Sequence, residues 1–234
     1  MPLLGLLLLF PAAVAQPLLI AAASDLAPLE KPLSQALEKA SGVSVRFVFG
    51  SSGMLAAQIR NGAPYDVYLS ANLQFARQLE ASQHLQAPVV TYATGRLAFY
   101  SQRLRTLDDL ASPAVRHLAI ANPAHAPYGV AAVEMLKHRG LWQKLEAKVV
   151  YAENVRQALQ FAEQGNADAA IVAWTLAMSK GGTLLPDSGH APILQAGGVV
   201  AKTSRPEASA KVLRYLESPT GRDLLRRFGL FPPP

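Results

Sequence analysis

The sequence predicts an α/β protein, and three observations carry that prediction. Short apolar runs alternate along the chain with segments whose apolar residues recur at helical spacing, the rhythm of strands packed beneath helices. Half of the residues are hydrophobic and 16% are charged, the composition of an ordinary globular protein rather than a disordered one. Several strand-like runs end in serine, glycine and small residues just before a helical pattern begins, where α/β sheets usually present ligands. The number of strand–helix units points to two lobes, although no flexible linker separates them.

In chain order, MPLLGLLLLFPAAVA comes first, an apolar run from Leu3 to Phe10 followed by the small-x-small pattern Ala13-Val14-Ala15. That pattern reads as a signal peptide over residues 1–15, cleaved near Ala15 and leaving Gln16 first. The run is shorter than the roughly 20 apolar residues of a membrane-spanning helix. Strand-like runs follow at Leu18–Ala23, Val43–Phe49, Asp66–Ser70, Arg96–Tyr100, Leu118–Ala121, Val149–Tyr151, Ala169–Ala173 and Ile193–Ala201. Val43, Val45, Phe47 and Phe49 share one face at period two, so that strand has one better-buried side. Helical patterns occupy Pro32–Ala40, Met54–Arg60, Leu73–Ala81, Gly129–His138, Val155–Glu163, Glu207–Glu217 and Pro219–Phe228. Leu55 with Ile59, and Val155 with Leu159, are spaced i, i+4 and can each face a sheet. Pro28 and Pro32 place an irregular turn before the first helix. Thr106 with Asp109 resembles a capping box, and Pro232-Pro233-Pro234 reads as a tail.

Several function classes are set aside by what the chain lacks. With no cysteine it has no disulfide framework, thiolate metal site or cysteine nucleophile. The formal charge of +6 favours anionic ligands by steering, but Arg and Lys are scattered and give no nucleic-acid footprint. Gly50-Ser51-Ser52-Gly53 is not a nucleophile elbow, and neither the phosphate-loop nor the dinucleotide fingerprint occurs. His84, His117, His125, His138 and His190 never fall at the i, i+4 spacing of a helical metal pair, so they read as surface or cap residues. Asp108 and Asp109 point apart on a helix and suit a helix start better than acid–base chemistry.

Four junctions stand out: Ala23-Ser24-Asp25, Gly50-Ser51-Ser52-Gly53, Pro127-Tyr128-Gly129 and Glu153-Asn154-Val155. Serine hydroxyls and the free N–H groups of a helix start can together hold an anion without a cationic side chain. Taken singly, Ser24, Asp25, Ser51 and Ser52 fit helix caps equally well, and capping competes for the same donors. An exported serine hydrolase using Ser24 or Ser52 is the alternative from another class, with His125 the only histidine near a junction.

The strings AAASDL from Ala21, FGSSGMLAAQIRNGAPYDVYLSAN from Phe49, ANPAHAPYGVAA from Ala121 and AENVRQAL from Ala152 cover nearly the whole chain in order. With SKG at Ser179 and LRYLESPTGRDLLRRFG near the end, they resemble the periplasmic molybdate-binding proteins of ABC-type molybdate transporters. The resemblance implies a two-lobed periplasmic binding protein, a type II flytrap in which each lobe is a sheet flanked by helices. The first lobe is then 16–92 with 196–234, and the second 93–195. It implies a molybdate or tungstate ligand, no cofactor, a periplasmic monomer, and a membrane permease as partner. Sulfate, phosphate or ferric ion remain alternative ligands. On the same pattern Ser24 and Ser52 supply hydroxyls, while Tyr128 and Val155 supply backbone N–H groups. Asp25, Ser51, Gly53 and Asn154 are second-tier candidates, and no residue is a direct cation ligand. Many of these relatives carry a tyrosine where this chain reads Ile171-Val172-Ala173-Trp174, so one hydroxyl donor is missing. A carboxylate aimed at a dianion repels it, so Asp25 is expected to cap or turn outward. The Tyr128 ring is expected to wall the pocket, its hydroxyl dispensable. Trp174 is either a reporter of closure or a plain core residue.

Overall fold

The computed structural model describes residues 16–234, so the expected signal peptide lies outside the described residues. The chain runs β1 (Leu18–Ala23), α1 (Glu30–Ser41), β2 (Val45–Gly50), α2 (Ser52–Arg60), β3 (Val67–Ser70), α3 (Leu73–Ala81), β4 (Val90–Gly95) and β5 (Leu97–Tyr100). It continues through β6 (Leu118–Ala121), α4 (Pro127–His138), α5 (Trp142–Leu145), β7 (Val149–Ala152), α6 (Val155–Glu163), β8 (Ala169–Ala173) and α7 (Trp174–Ala177). The last elements are β9 (Thr183–Leu184), β10 (Ile193–Val199), α8 (Pro206–Glu217) and α9 (Pro219–Arg227).

Two five-stranded sheets result, in the orders β2-β1-β3-β10-β4 and β7-β6-β8-β5-β9. In the first, β1 lies parallel between β2 and β3, and β10 runs antiparallel to β3 and β4. In the second, β6 lies parallel between β7 and β8, and β5 runs antiparallel to β8 and β9. The fold is therefore α/β and two-lobed, one sheet per lobe with flanking helices. The chain leaves the first sheet after Gly95 and returns at Ile193, a few residues after the expected limit at 92 and a few before the one at 196.

Each sheet is buried by the faces that its period predicts. Leu18 and Ile20 of β1 meet Leu33 and Leu37 of α1 and Val212 of α8 on one face of the first sheet. Val45 and Phe47 join that cluster, with Val43 and Phe49 packed against it, and the Phe47 and Phe49 rings stack 5.4 Å apart. Leu55 and Ile59 of α2 pack with Leu79 of α3 on the other face. Val155 and Leu159 of α6 enter the core of the second lobe. The capping box forms, Asp109 Oδ2 accepting the Thr106 N–H at 2.8 Å.

Two strands and two short helices escaped the pattern. β4 reads VTYATG, too mixed to announce a strand, and is held by its antiparallel partner β10. β9 has two residues, and α5 and α7 one turn each, too short for any period to register. The irregular turn before α1 is a 3-10 helix over Ser24–Leu29 that contains Pro28.

Candidate functional site

The carboxyl ends of the parallel strands in both sheets open on one cleft, as expected of α/β sheets. β1 delivers Ser24, β2 delivers Ser51 and Ser52, β6 leads to Tyr128, and β7 leads to Val155. The closed cleft leaves a cavity of about 10 Å³, walled by Ser24, Asp25, Ser51 and Ser52 from the first lobe and Tyr128 and Val155 from the second. No lysine or arginine lines it. A larger crevice of about 510 Å³ beside Tyr65, His84 and Arg205 belongs to the first lobe alone, and its Arg205 is already paired with Asp66 at 2.6 Å.

The donors in the cleft are set by local structure. Ser52 Oγ accepts the Ala71 N–H at 3.0 Å, and its carbonyl accepts the Tyr68 hydroxyl at 2.7 Å. With that acceptor role filled, its hydroxyl hydrogen is left to donate. Ser24 is the first residue of its 3-10 turn and 3% exposed. Tyr128 and Val155 stand in the first turns of α4 and α6, where no carbonyl lies one turn earlier to receive their N–H groups. Three helices, α2, α4 and α6, begin at the cleft, and each contributes roughly half a unit of positive charge there. This arrangement can hold an anion by dipoles alone.

Asp25 departs from its expected place. It neither caps a helix nor turns outward: it is fully buried, and Oδ2 accepts the Tyr128 hydroxyl at 2.9 Å and Gln195 Nε2 at 2.7 Å. Burial pushes its carboxyl up to about 6, against the pull of those two hydrogen bonds. Its Oδ1 has no hydrogen-bond partner. Tyr128 likewise does more than wall the pocket, since its hydroxyl crosses to the other lobe. Burial raises the Tyr128 and Tyr92 hydroxyls well above their usual range, so both remain neutral donors.

The other second-tier residues also find different work. Ser51 Oγ meets His125 Nδ1 at 2.9 Å across the cleft and makes no cap bond to α2. The Gly53 N–H is taken by the His125 carbonyl at 2.9 Å, and a Cβ at Gly53 would sit 2.9 Å from that oxygen. Gly53 thus lets two backbones approach. Asn154 caps α6, accepting from Arg156 N and Gln157 N at 3.1 Å each. His125 reaches neither Ser24 nor Ser52, the serines a hydrolase needed. None of Ile171, Val172, Ala173 and Trp174 lines the cleft.

Gln195, Thr175 and Gly95 were not singled out from the sequence. Gln195 lies at a register irregularity of β10 against β4, and such bulges re-aim side chains. A glutamine amid the apolar run ILQAGGV was the available signal. Thr175 Oγ1 donates to the Asp25 carbonyl at 2.7 Å, a contact 150 residues apart in the chain that no local pattern announces.

Two sheets whose strand ends face each other over a small cleft of neutral donors define a two-lobed solute-binding protein. The chain belongs to the bacterial extracellular solute-binding protein family, whose sequence model matches residues 18–231. It is 33% identical to the molybdate-binding protein ModA of Rhodobacter capsulatus over 95% of this chain and 90% of that one. It is also 33% identical to ModA of Azotobacter vinelandii, over 97% and 94%. The solved periplasmic molybdate-binding protein of Azotobacter vinelandii superposes with a TM-score of 0.86 at 30% identity, over 93% of this chain and all of that one. A sulfate-binding protein of Mycobacterium tuberculosis shares the fold at 15% identity, with a TM-score of 0.75 over 92% of this chain and 85% of that one. These relatives are binding proteins, not enzymes. Among the described residues no helix is long and apolar enough to cross a membrane, and no group of three His, Asp or Glu side chains could hold a metal ion.

Proposed function

We propose that the protein captures molybdate, with tungstate as a second ligand, in the periplasm and delivers it to the membrane permease of an ABC-type importer. The observation that carries this reading is the cleft itself, where Ser24, Ser52, Tyr128 and Val155 meet from both sheets with no cationic side chain among them. The hydroxyls of Ser24 and Ser52 and the N–H groups of Tyr128 and Val155 hold the oxyanion. Donors without acceptors favour the fully deprotonated form, because a proton on the ligand would have no partner. The relatives named for molybdate support the choice of ligand. The two sheets are the cores of the two lobes, which swing about the crossings after Gly95 and before Ile193. The anion touches both lobes only when they are closed, so binding favours that state, and the closed monomer is the form the permease receives. Residues 1–15 direct export and are removed after Ala15.

Thermal unfolding of the chain from Gln16 onward, with molybdate, tungstate, sulfate, phosphate or ferric citrate added singly, tests the reading. A ligand at a thousand times its Kd stabilises by about 4 kcal/mol, and each kcal/mol moves Tm by about 2–4 °C at this size. The expected result is a rise of about 10 °C with molybdate and tungstate alone. A rise with sulfate or iron instead replaces the ligand.

A further inference from the structure

Asp25 is a buried carboxyl with no cation among its partners, a group that proteins keep only at a cost in stability. Parts of both lobes nevertheless converge on it. From β10, the bulge at Gln195 turns the amide inward, where Nε2 donates to Oδ2 at 2.7 Å and Oε1 accepts the Tyr92 hydroxyl at 3.3 Å. From α4, Tyr128 donates to the same Oδ2 at 2.9 Å, and from α7 Thr175 donates to the Asp25 carbonyl at 2.7 Å. At the end of β4, Gly95 leaves the space that the Tyr128 hydroxyl needs. A Cβ there would lie 2.2 Å from that oxygen and 3.0 Å from Gln195 Nε2.

We propose that Asp25 is the positioning residue of the closed site, receiving the Tyr128 hydroxyl across the cleft and so fixing the first turn of α4 over the bound anion. The proposal rests on the anion-binding reading. Tyr128 has a rigid ring with its hydroxyl at one end and its backbone N–H at the other. Anchoring the hydroxyl to the first lobe therefore sets where the N–H points, and Gln195 keeps the anchor from drifting. The bond exists only when the lobes meet, so it acts on release of the anion and not on its capture.

The test follows molybdate association and dissociation, with Kd by calorimetry, on the chain from Gln16 onward. Asp25→Ala and Tyr128→Phe are each expected to raise Kd by about tenfold, the worth of one hydrogen bond to a charged group. The loss should lie in the dissociation rate, with association within about twofold of wild type. The double variant should be no weaker than the weaker single one, because both remove one bond. Asp25→Asn, whose amide oxygen still accepts from Tyr128 and Gln195, should bind at least as well as wild type. Gly95→Ala, which leaves the hydrogen-bonding groups intact but displaces the hydroxyl, should also speed release. Melting of each ligand-free variant checks folding, and Tyr128→Phe, which deletes a single oxygen, carries the test if Asp25→Ala does not fold. Additive losses, a loss confined to association, or no recovery in Asp25→Asn would overturn the positioning role. A wild-type chain that binds no oxyanion would overturn the anion-binding reading and this proposal with it, whereas wild-type binding with unchanged variants overturns this proposal alone.

Discussion

The carboxyl of Asp25 is raised to about 6 by burial, so its ionised form is the one the fold resists. A group whose folded value lies above its unfolded value stabilises fully below the unfolded value, near 3.8, and loses that contribution as pH rises through about 6. The shift of about two units corresponds to roughly 3 kcal/mol, of which about 2 falls between pH 4.5 and 7.5. Asp25→Asn does not titrate. Its unfolding free energy relative to wild type should therefore rise by about 2 kcal/mol over that interval, measured by urea unfolding at both pH values. Parallel pH profiles for the two proteins would mean that the carboxyl is not held in a cation-free interior. From the sequence, the repulsion between this aspartate and a dianion was legible. The remedy was not, because it depends on Tyr128 and Gln195, which lie 103 and 170 residues away.

Helix starts carry both the junction residues that cap and those proposed to bind. At α6 Asn154 is the cap, its side chain satisfying two backbone donors and leaving the Val155 N–H toward the cleft. Asn154→Ala should cost about 1 kcal/mol of stability with molybdate affinity close to wild type. Ser24→Ala should do the reverse. Its loss of a hydrogen bond to a charged ligand, about 1.5–3 kcal/mol, weakens binding roughly tenfold to a hundredfold with little change in Tm. Calorimetric titration and melting of both variants separate the two roles, and equal behaviour would erase the distinction. Strand and helix existence was readable for the longer elements because burial imposes period two or 3.6 on them. β4 was not, because its identity comes from pairing with β10.

Specific hydrogen bonds join the two lobes around the cleft: Ser51 with His125, Gly53 with the His125 carbonyl, Asp25 with Tyr128 and Thr175, and Gln195 with Tyr128. Trp174, which begins α7 and packs on the core of the second lobe, also lies against Gly229 in the segment after α9. A Cβ at Gly229 would come within 2.6 Å of the indole Cδ1. The lobe opening proposed above would expose that ring, so molybdate should shift and sharpen tryptophan emission as it holds the lobes together. The change should vanish in Trp174→Phe, which retains Trp142 as an internal control. A persisting signal would assign it to Trp142 and leave Trp174 a plain core residue.

The sequence by itself determined the alternation of strands and helices, the faces that Val45, Phe47, Leu55, Ile59, Val155 and Leu159 bury, and the junctions where neutral donors gather. These are local properties: side-chain period, turn chemistry and the orphan N–H groups of helix starts are written in neighbouring residues. Only the tertiary structure decided the rest. It spent the Gly53 N–H on His125, turned Ser51 across the cleft, and buried Asp25 beneath Tyr128. The physical reason is that a hydrogen-bond donor serves whichever acceptor the packed chain brings within about 3 Å. Which acceptor that is depends on two sheets meeting, a contact between residues far apart in sequence.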